Sequence, residues 1–144
     1  MPIQFPSIIL PIVAPLWTET ETVTDALEHT SLEFDVTYLQ EKCIQILATE
    51  AGFGAPGPLN VWVELSPVLS TTSALYWAAI GGGGGVIVPT APVVIVGTGV
   101  AGTVHTFMLP WTIHSNYARL VIRTPIPAAA AGWLVQAVAS GKES

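Results

Sequence analysis

From Leu32 onward the apolar side chains fall on alternate positions, Leu32, Phe34, Val36 and Tyr38 against Glu33, Asp35 and Thr37. Period two is the spacing of a strand with one buried face; an amphipathic helix would repeat its apolar positions at three and four. Further segments of this kind occupy residues 42–49, 59–65, 74–80, 86–96, 103–109, 117–124 and 132–139. The breaks between them carry GFGAPGP, GGGGG, GTG and TPIP, and glycine and proline in such clusters turn the chain and end strands. About eight short strands without a long helical period predict an all-β fold, an antiparallel β-sandwich or jelly roll. One helical turn is expected at residues 25–28, where Asp25 would cap free backbone donors and Glu28 follows three residues later.

Ahead of the strands lies a segment of different character, MPIQFPSIILPIVAPLW. Pro2, Pro6, Pro11 and Pro15 recur every four or five residues, so no continuous helix forms and the segment runs extended. Its apolar side chains, Ile3, Phe5, Ile8, Ile9, Leu10, Ile12, Val13, Leu16 and Trp17, then need other protein to lie against, which makes it a docking arm. A secretory leader is not expected, because the segment has no positive n-region and no small-residue cleavage site. The prolines likewise argue against a membrane span. The chain therefore divides into an extended N-terminal arm and connector, residues 1–31, and a β-sandwich domain, residues 32–144.

Charge narrows the function. Between Glu64 and Glu143 there is no carboxylate in 78 residues, and the charged side chains there are Arg119, Arg123 and Lys142. More than half of the chain thus supplies no acid, general base or hard-metal ligand, whereas enzyme sites usually draw such groups from several segments. Charged residues are 10% of the chain against about 25% in ordinary soluble domains, too few to solvate a monomer's surface. They are also segregated: residues 1–64 hold nine acids and one lysine, residues 65–144 one acid and three bases. Without a basic cluster no nucleic acid is expected as partner. Copies of the chain itself are the simplest partner, and Arg119 and Arg123, on one face of the strand at 117–124, are candidates for pairing with carboxylates such as Glu33 and Asp35 or with a neighbouring subunit.

Several motifs invite chemistry. Residues 93–102, VVIVGTGVAG, read as a strand entering G-x-G-x-x-G at Gly97, Gly99 and Gly102 and resemble the dinucleotide-binding fingerprint. The following residues alternate like a strand and reach Pro110, so the helix that would receive a phosphate is missing, as is the acidic residue about twenty positions on. A glycine-rich hairpin is expected there, and no cofactor. The pentaglycine at 81–85 lacks the lysine of a phosphate loop and is expected to be a loop or a close approach of chains. Cys43 is single and reads as a small buried hydrophobe rather than the partner of His105 or His114 in a dyad. His29, His105 and His114 fit no compact metal-ligand spacing, and Glu19, Glu21, Asp25 and Glu28 no calcium loop. Five tryptophans, at 17, 62, 77, 111 and 133, offer a platform for sugars or, more often in sandwiches, anchors in the core or at an interface.

The apolar arm, the turn-rich β body, the scarcity of charge and the closing strands YARLVIRTP and AGWLVQAVASGK resemble small jelly-roll or sandwich proteins of tailed-phage virions, in particular head decoration or minor capsid proteins. That resemblance implies a non-enzymatic virion protein and a homo-oligomer, often a trimer. Its partners would be neighbouring subunits of the same chain and a major capsid or other shell protein. The alternative reading is a secreted or surface glycan-binding module using Trp77 or Trp111.

Overall fold

The computed structural model describes residues 14–16, 20–80, 93–128 and 130–142. In chain order the strands are β1 (Ala14–Pro15), β2 (Glu21–Val23), β3 (His29–Thr30), β4 (Phe34–Asp35), β5 (Glu41–Gly52), β6 (Leu59–Ser66), β7 (Ala78–Ala79), β8 (Val93–Ile95), β9 (Val104–Trp111), β10 (Tyr117–Arg123) and β11 (Ala131–Lys142). They form two antiparallel sheets. In sheet A the order is β1, β11, β5, β9, with β2 also on β11; in sheet B it is β3, β10, β6, β7, with β4 also on β10 and β8 on β6. The chain changes sheet at β2 to β3, β4 to β5, β5 to β6, β8 to β9, β9 to β10 and β10 to β11, which is the winding of a jelly roll.

Period two builds the core directly. On β5, Ile44, Ile46 and Ala48 point inward while Gln45 and Leu47 are exposed. The neighbouring β11 supplies Trp133, Val135, Ala137 and Ala139 from the same face, and sheet B answers with Leu59, Val61, Val63, Ala118, Leu120 and Ile122. Each fully buried large aliphatic side chain contributes about 1.5–3 kcal/mol. Trp133 has no exposed surface, and its indole N–H donates to the Gly57 carbonyl at 2.8 Å, tying β11 to the β5–β6 loop.

The alternation at 32–38 yields only the two-residue β4. The Asp35 carboxylate accepts from the Thr37 amide at 2.9 Å and from its hydroxyl at 2.6 Å, turning the chain before a ladder can extend, and Leu32 and Tyr38 are left exposed. The strand expected at 74–80 is a 3-10 turn at Ala74–Tyr76, capped by the Ser73 hydroxyl, which accepts from the Leu75 amide at 3.3 Å, followed by β7. The turn expected at 25–28 is not helical: Asp25 accepts from the Leu27 amide at 3.0 Å in a bend. Of the segment 86–96 only residues 93–96, with β8, fall within the described residues, and the pentaglycine lies outside them. The division at residue 31 is also not a structural one. β1 and β2 pair with β11, β3 pairs with β10, and Leu16, 1% exposed, is part of the core.

Candidate interaction surfaces

The glycine motif is a loop crossing from β8 in sheet B to β9 in sheet A, not a hairpin between paired strands. It does bind an anion, the chain's own Glu50. Glu50 occupies an inward position of β5 and is 2% exposed. Its carboxylate accepts from the Thr98 and Gly99 amides at 2.9 Å, from the Thr98 hydroxyl at 2.7 Å and from His105 Nε2 at 2.8 Å. Burial pushes its pKa up, but the bonds from His105, Thr98 and Gly99 outweigh that and hold it down at about 2. Two glycines make the cradle. Gly99 has φ +90°, which a side chain rarely tolerates, and a Cβ on Gly97 would stand 2.6 Å from the Pro56 ring and 3.1 Å from Glu50. Successive amides turned onto one carboxylate form the nest that a phosphate would otherwise fill, so the local resemblance to a dinucleotide site has a structural cause.

The arginines are engaged within the chain. Arg119 faces Glu64 across the β10–β6 ladder; Nη2 and Nε reach Glu64 Oε1 at 2.7 and 2.8 Å. The guanidinium lies 4.2 Å over the Trp77 ring, and Trp62 donates to the same carboxylate at 3.3 Å. Arg123 Nε donates to the Ala26 carbonyl at 2.9 Å. Glu33 and Asp35, the expected partners, serve Ser70 and Thr37 instead. The register explains this: a residue directly opposite on a paired strand is nearer than one on a separate short strand.

The tryptophans are likewise spent. Trp62, Trp111 and Trp133 are buried and Trp77 carries Arg119 on its face, so the glycan platform expected of Trp77 or Trp111 is not open. Trp17 lies outside the described residues. Cys43 and His105 sit on opposite faces of sheet A, five positions apart along the β5 register, and burial pushes the Cys43 thiol up, so no dyad forms between them. His29 is clamped between Glu21 at 2.7 Å and Asp25 at 3.0 Å, and His114 is exposed. Among the described residues no group of three or more metal-ligating side chains converges.

What remains accessible and coherent is the outer face of sheet A. Across β11, β5 and β9 the register places four rows side by side: Leu134, Thr49, Val104; Gln136, Leu47, Thr106; Val138, Gln45, Met108; Ser140, Cys43, Pro110. None of these twelve residues is charged. Val104 and Met108 are 56% and 61% exposed, and charge returns only in the next row, at Lys142 and Glu41. β9 ends the strand order of this sheet among the described residues. Charge-free rows across strands are not visible in a linear reading, because the rows exist only once β11 and β9 flank β5.

Of the arm, Ile3, Phe5, Ile8, Ile9, Leu10, Ile12, Val13 and Trp17 lie outside the described residues. Leu16 does not serve a neighbour: its amide bonds the Ala137 carbonyl at 2.9 Å and its side chain is buried in the chain's own core.

No family model and no curated protein matches the chain. Among solved structures it is similar to one described as "CBM4 structure and function", at 11% identity over 83% of this chain and 64% of that one, with a TM-score of 0.49. It is also similar to dimeric latent PorU from Porphyromonas gingivalis, at 12% identity over 94% of this chain and 12% of that one, with a TM-score of 0.46. The chain spans less than two thirds of either.

Proposed function

We propose that this β-sandwich module is a non-enzymatic structural protein that packs laterally against other protein subunits, and that its setting is a virion, as a decoration or minor capsid protein of a tailed-phage head. The observation that carries the reading is the uncharged outer face of sheet A. Four rows without a charge across three strands resemble the core of a subunit contact, where charged residues are depleted, more than an ordinary solvated surface. The carboxylates Glu33, Asp35, Glu50 and Glu64 are each committed to hydrogen bonds that hold the fold, which fits a structural role. In this reading the apolar arm ahead of Ala14 adds a second contact to a shell protein, and two weak contacts on one subunit reinforce each other. A glycan-binding role would need an aromatic platform that Trp77 and Trp111 do not offer.

The test is sedimentation of native source material followed by mass spectrometry. Travel with a large particle, in fixed stoichiometry with a more abundant shell protein, is the expected result. Recovery only as a small soluble species would overturn the virion setting.

A further inference from the structure

The crossing at residues 24–28 joins β2 in sheet A to β3 in sheet B, and among the described residues each of these strands lies at the edge of its sheet, β2 on β11 and β3 on β10. Edge strands of three and two residues form few ladder bonds, so side chains carry much of the attachment. Two of them reach the crossing. From β10, Arg123 Nε donates to the Ala26 carbonyl at 2.9 Å. From β3, the His29 ring is held on both nitrogens: Nδ1 lies 2.7 Å from Glu21 Oε1 on β2, and Nε2 lies 3.0 Å from Asp25 Oδ1 in the crossing. The same Asp25 oxygen accepts from the Leu27 amide at 3.0 Å, so the ring fixes the backbone of the crossing through that carboxylate.

An ionised carboxylate only accepts hydrogen bonds, so both ring nitrogens must donate, and the imidazolium alone carries a proton on each. When the ring gives up one proton, one nitrogen turns a lone pair toward an anionic oxygen and that contact becomes repulsive. The geometry decides which contact fails. The Glu21 contact is the shorter, and the Glu21 side chain is 31% exposed against 51% for Asp25, so the proton stays on Nδ1 and Asp25 lets go. The elements around the ring bring two further charges: Glu28, its neighbour in the chain, and Arg123, which is turned to Ala26. Otherwise β10 places Ile122 opposite His29, and β11 places Val135 opposite Glu21.

We propose that the 24–28 crossing is a proton-operated clasp between the two sheets, closed while the His29 ring bridges Glu21 and Asp25 and loosened when the bridge loses its proton. The consequence reaches beyond the crossing. Thr24 packs on Gly132 of β11, where a Cβ would stand 2.8 Å from Thr24 Cγ2 and 2.9 Å from the Val23 carbonyl. With Thr22, Ala51, Ala130 and Trp133, Thr24 walls a groove of about 320 Å3. A loosened crossing widens that groove over Trp133, which has no exposed surface when the clasp is closed. Burial works against the charged ring, but the bonds to Glu21 and Asp25 outweigh it and raise its pKa above 6.5. The closed form is therefore complete below 6.5 and is lost as pH rises through the raised native value. The clasp does not depend on the virion setting.

Hydrogen exchange read by mass spectrometry at pH 6 and pH 9, with each rate divided by the intrinsic rate at that pH, tests it, because local opening is seen separately from global unfolding. In the parent, protection of residues 24–28 should fall about two- to fivefold on going to pH 9, the range of an exposed ion pair, while β5 and β11 keep theirs. His29→Gln should show low protection of the crossing at both pH values. Asp25→Asn should keep its protection at both, since the amide accepts from the charged ring and donates to the neutral one. Arg123→Gln should lower protection throughout and leave the pH difference in place. Equal protection of the crossing at pH 6 and pH 9 in the parent overturns the proposal. So does a fall shared equally by β5 and β11, which would be global destabilisation, or an Asp25→Asn variant that loses protection at pH 9 as the parent does.

Discussion

Glu50 is a carboxylate on the apolar face of a strand, and its position is tolerable only because donors reach it from the loop at 96–103 and from His105. Its native pKa of about 2 lies below the ordinary 4.5. A depressed carboxylate contributes stability above its unfolded value and loses that contribution as pH falls through the native one. The acid limb of stability, between pH 4.5 and about 2, should therefore be steeper in the parent than in Glu50→Gln, as read by thermal melts. Glu50→Ala should lower the midpoint at neutral pH by more than an exposed substitution does, because Thr98, Gly99 and His105 lose their acceptor together. His29 acts in the opposite sense. Burial lowers its pKa, but the bonds to Glu21 and Asp25 overcome that and leave it raised above 6.5. Its contribution is fully present below 6.5 and is lost as pH rises through the raised native value. Relative to His29→Gln, the parent should lose stability on going from pH 6 to pH 9; parallel pH profiles would show that the clamp contributes nothing.

At the scale of elements, the crossing at 96–103 depends on one backbone angle. Gly99→Ala places a Cβ at φ +90° and should cost about 1–2 kcal/mol, measured by urea unfolding; the nearest atoms, those of Ala55 at 3.7 Å and beyond, are at ordinary contact distance and keep any clash out of the result. How far such elements were legible follows from what each strand competes with. β5 and β11 read cleanly because period two runs unbroken and both strands are paired along their length. The segment 32–38 has the same alternation, but the Asp35 side chain captures the Thr37 amide, and a local turn wins over a ladder. The glycine motif resembles a phosphate-binding fingerprint but is expected to be a hairpin, and neither its role as a carboxylate cradle nor its occupant is legible, since Glu50 is 48 residues from Thr98 in sequence. The signal was nonetheless there: residues 44, 46, 48 and 50 share one face of a strand, and a carboxylate in that series must draw its donors from elsewhere. Nothing linear marks the uncharged rows of sheet A, because they are assembled from three distant segments.

For the whole molecule, the question is where the arm ends and the body begins. Leu16 packs in the core, and β1 pairs with β11 at Ala139 and Val138, so the body includes Ala14, Pro15 and Leu16. Leu16→Ala should cost about 2–5 kcal/mol, as for other buried leucines; an unchanged urea midpoint would mean that the segment is not part of the core. Deletion of residues 2–12 makes the complementary cut, removing Ile3, Phe5, Ile8, Ile9, Leu10 and Ile12 while sparing β1. If those side chains dock on a shell protein, the truncated chain should keep the parent's unfolding midpoint and lose co-sedimentation with native particles. Even a few hundred Å2 of apolar burial at about 25 cal/mol per Å2 contributes several kcal/mol per copy before ordering costs, enough for the loss to be plain in a binding isotherm. Undiminished co-sedimentation would instead move the docking function wholly to the outer face of sheet A, and Met108→Asp would then become the variant expected to release the chain from the particle.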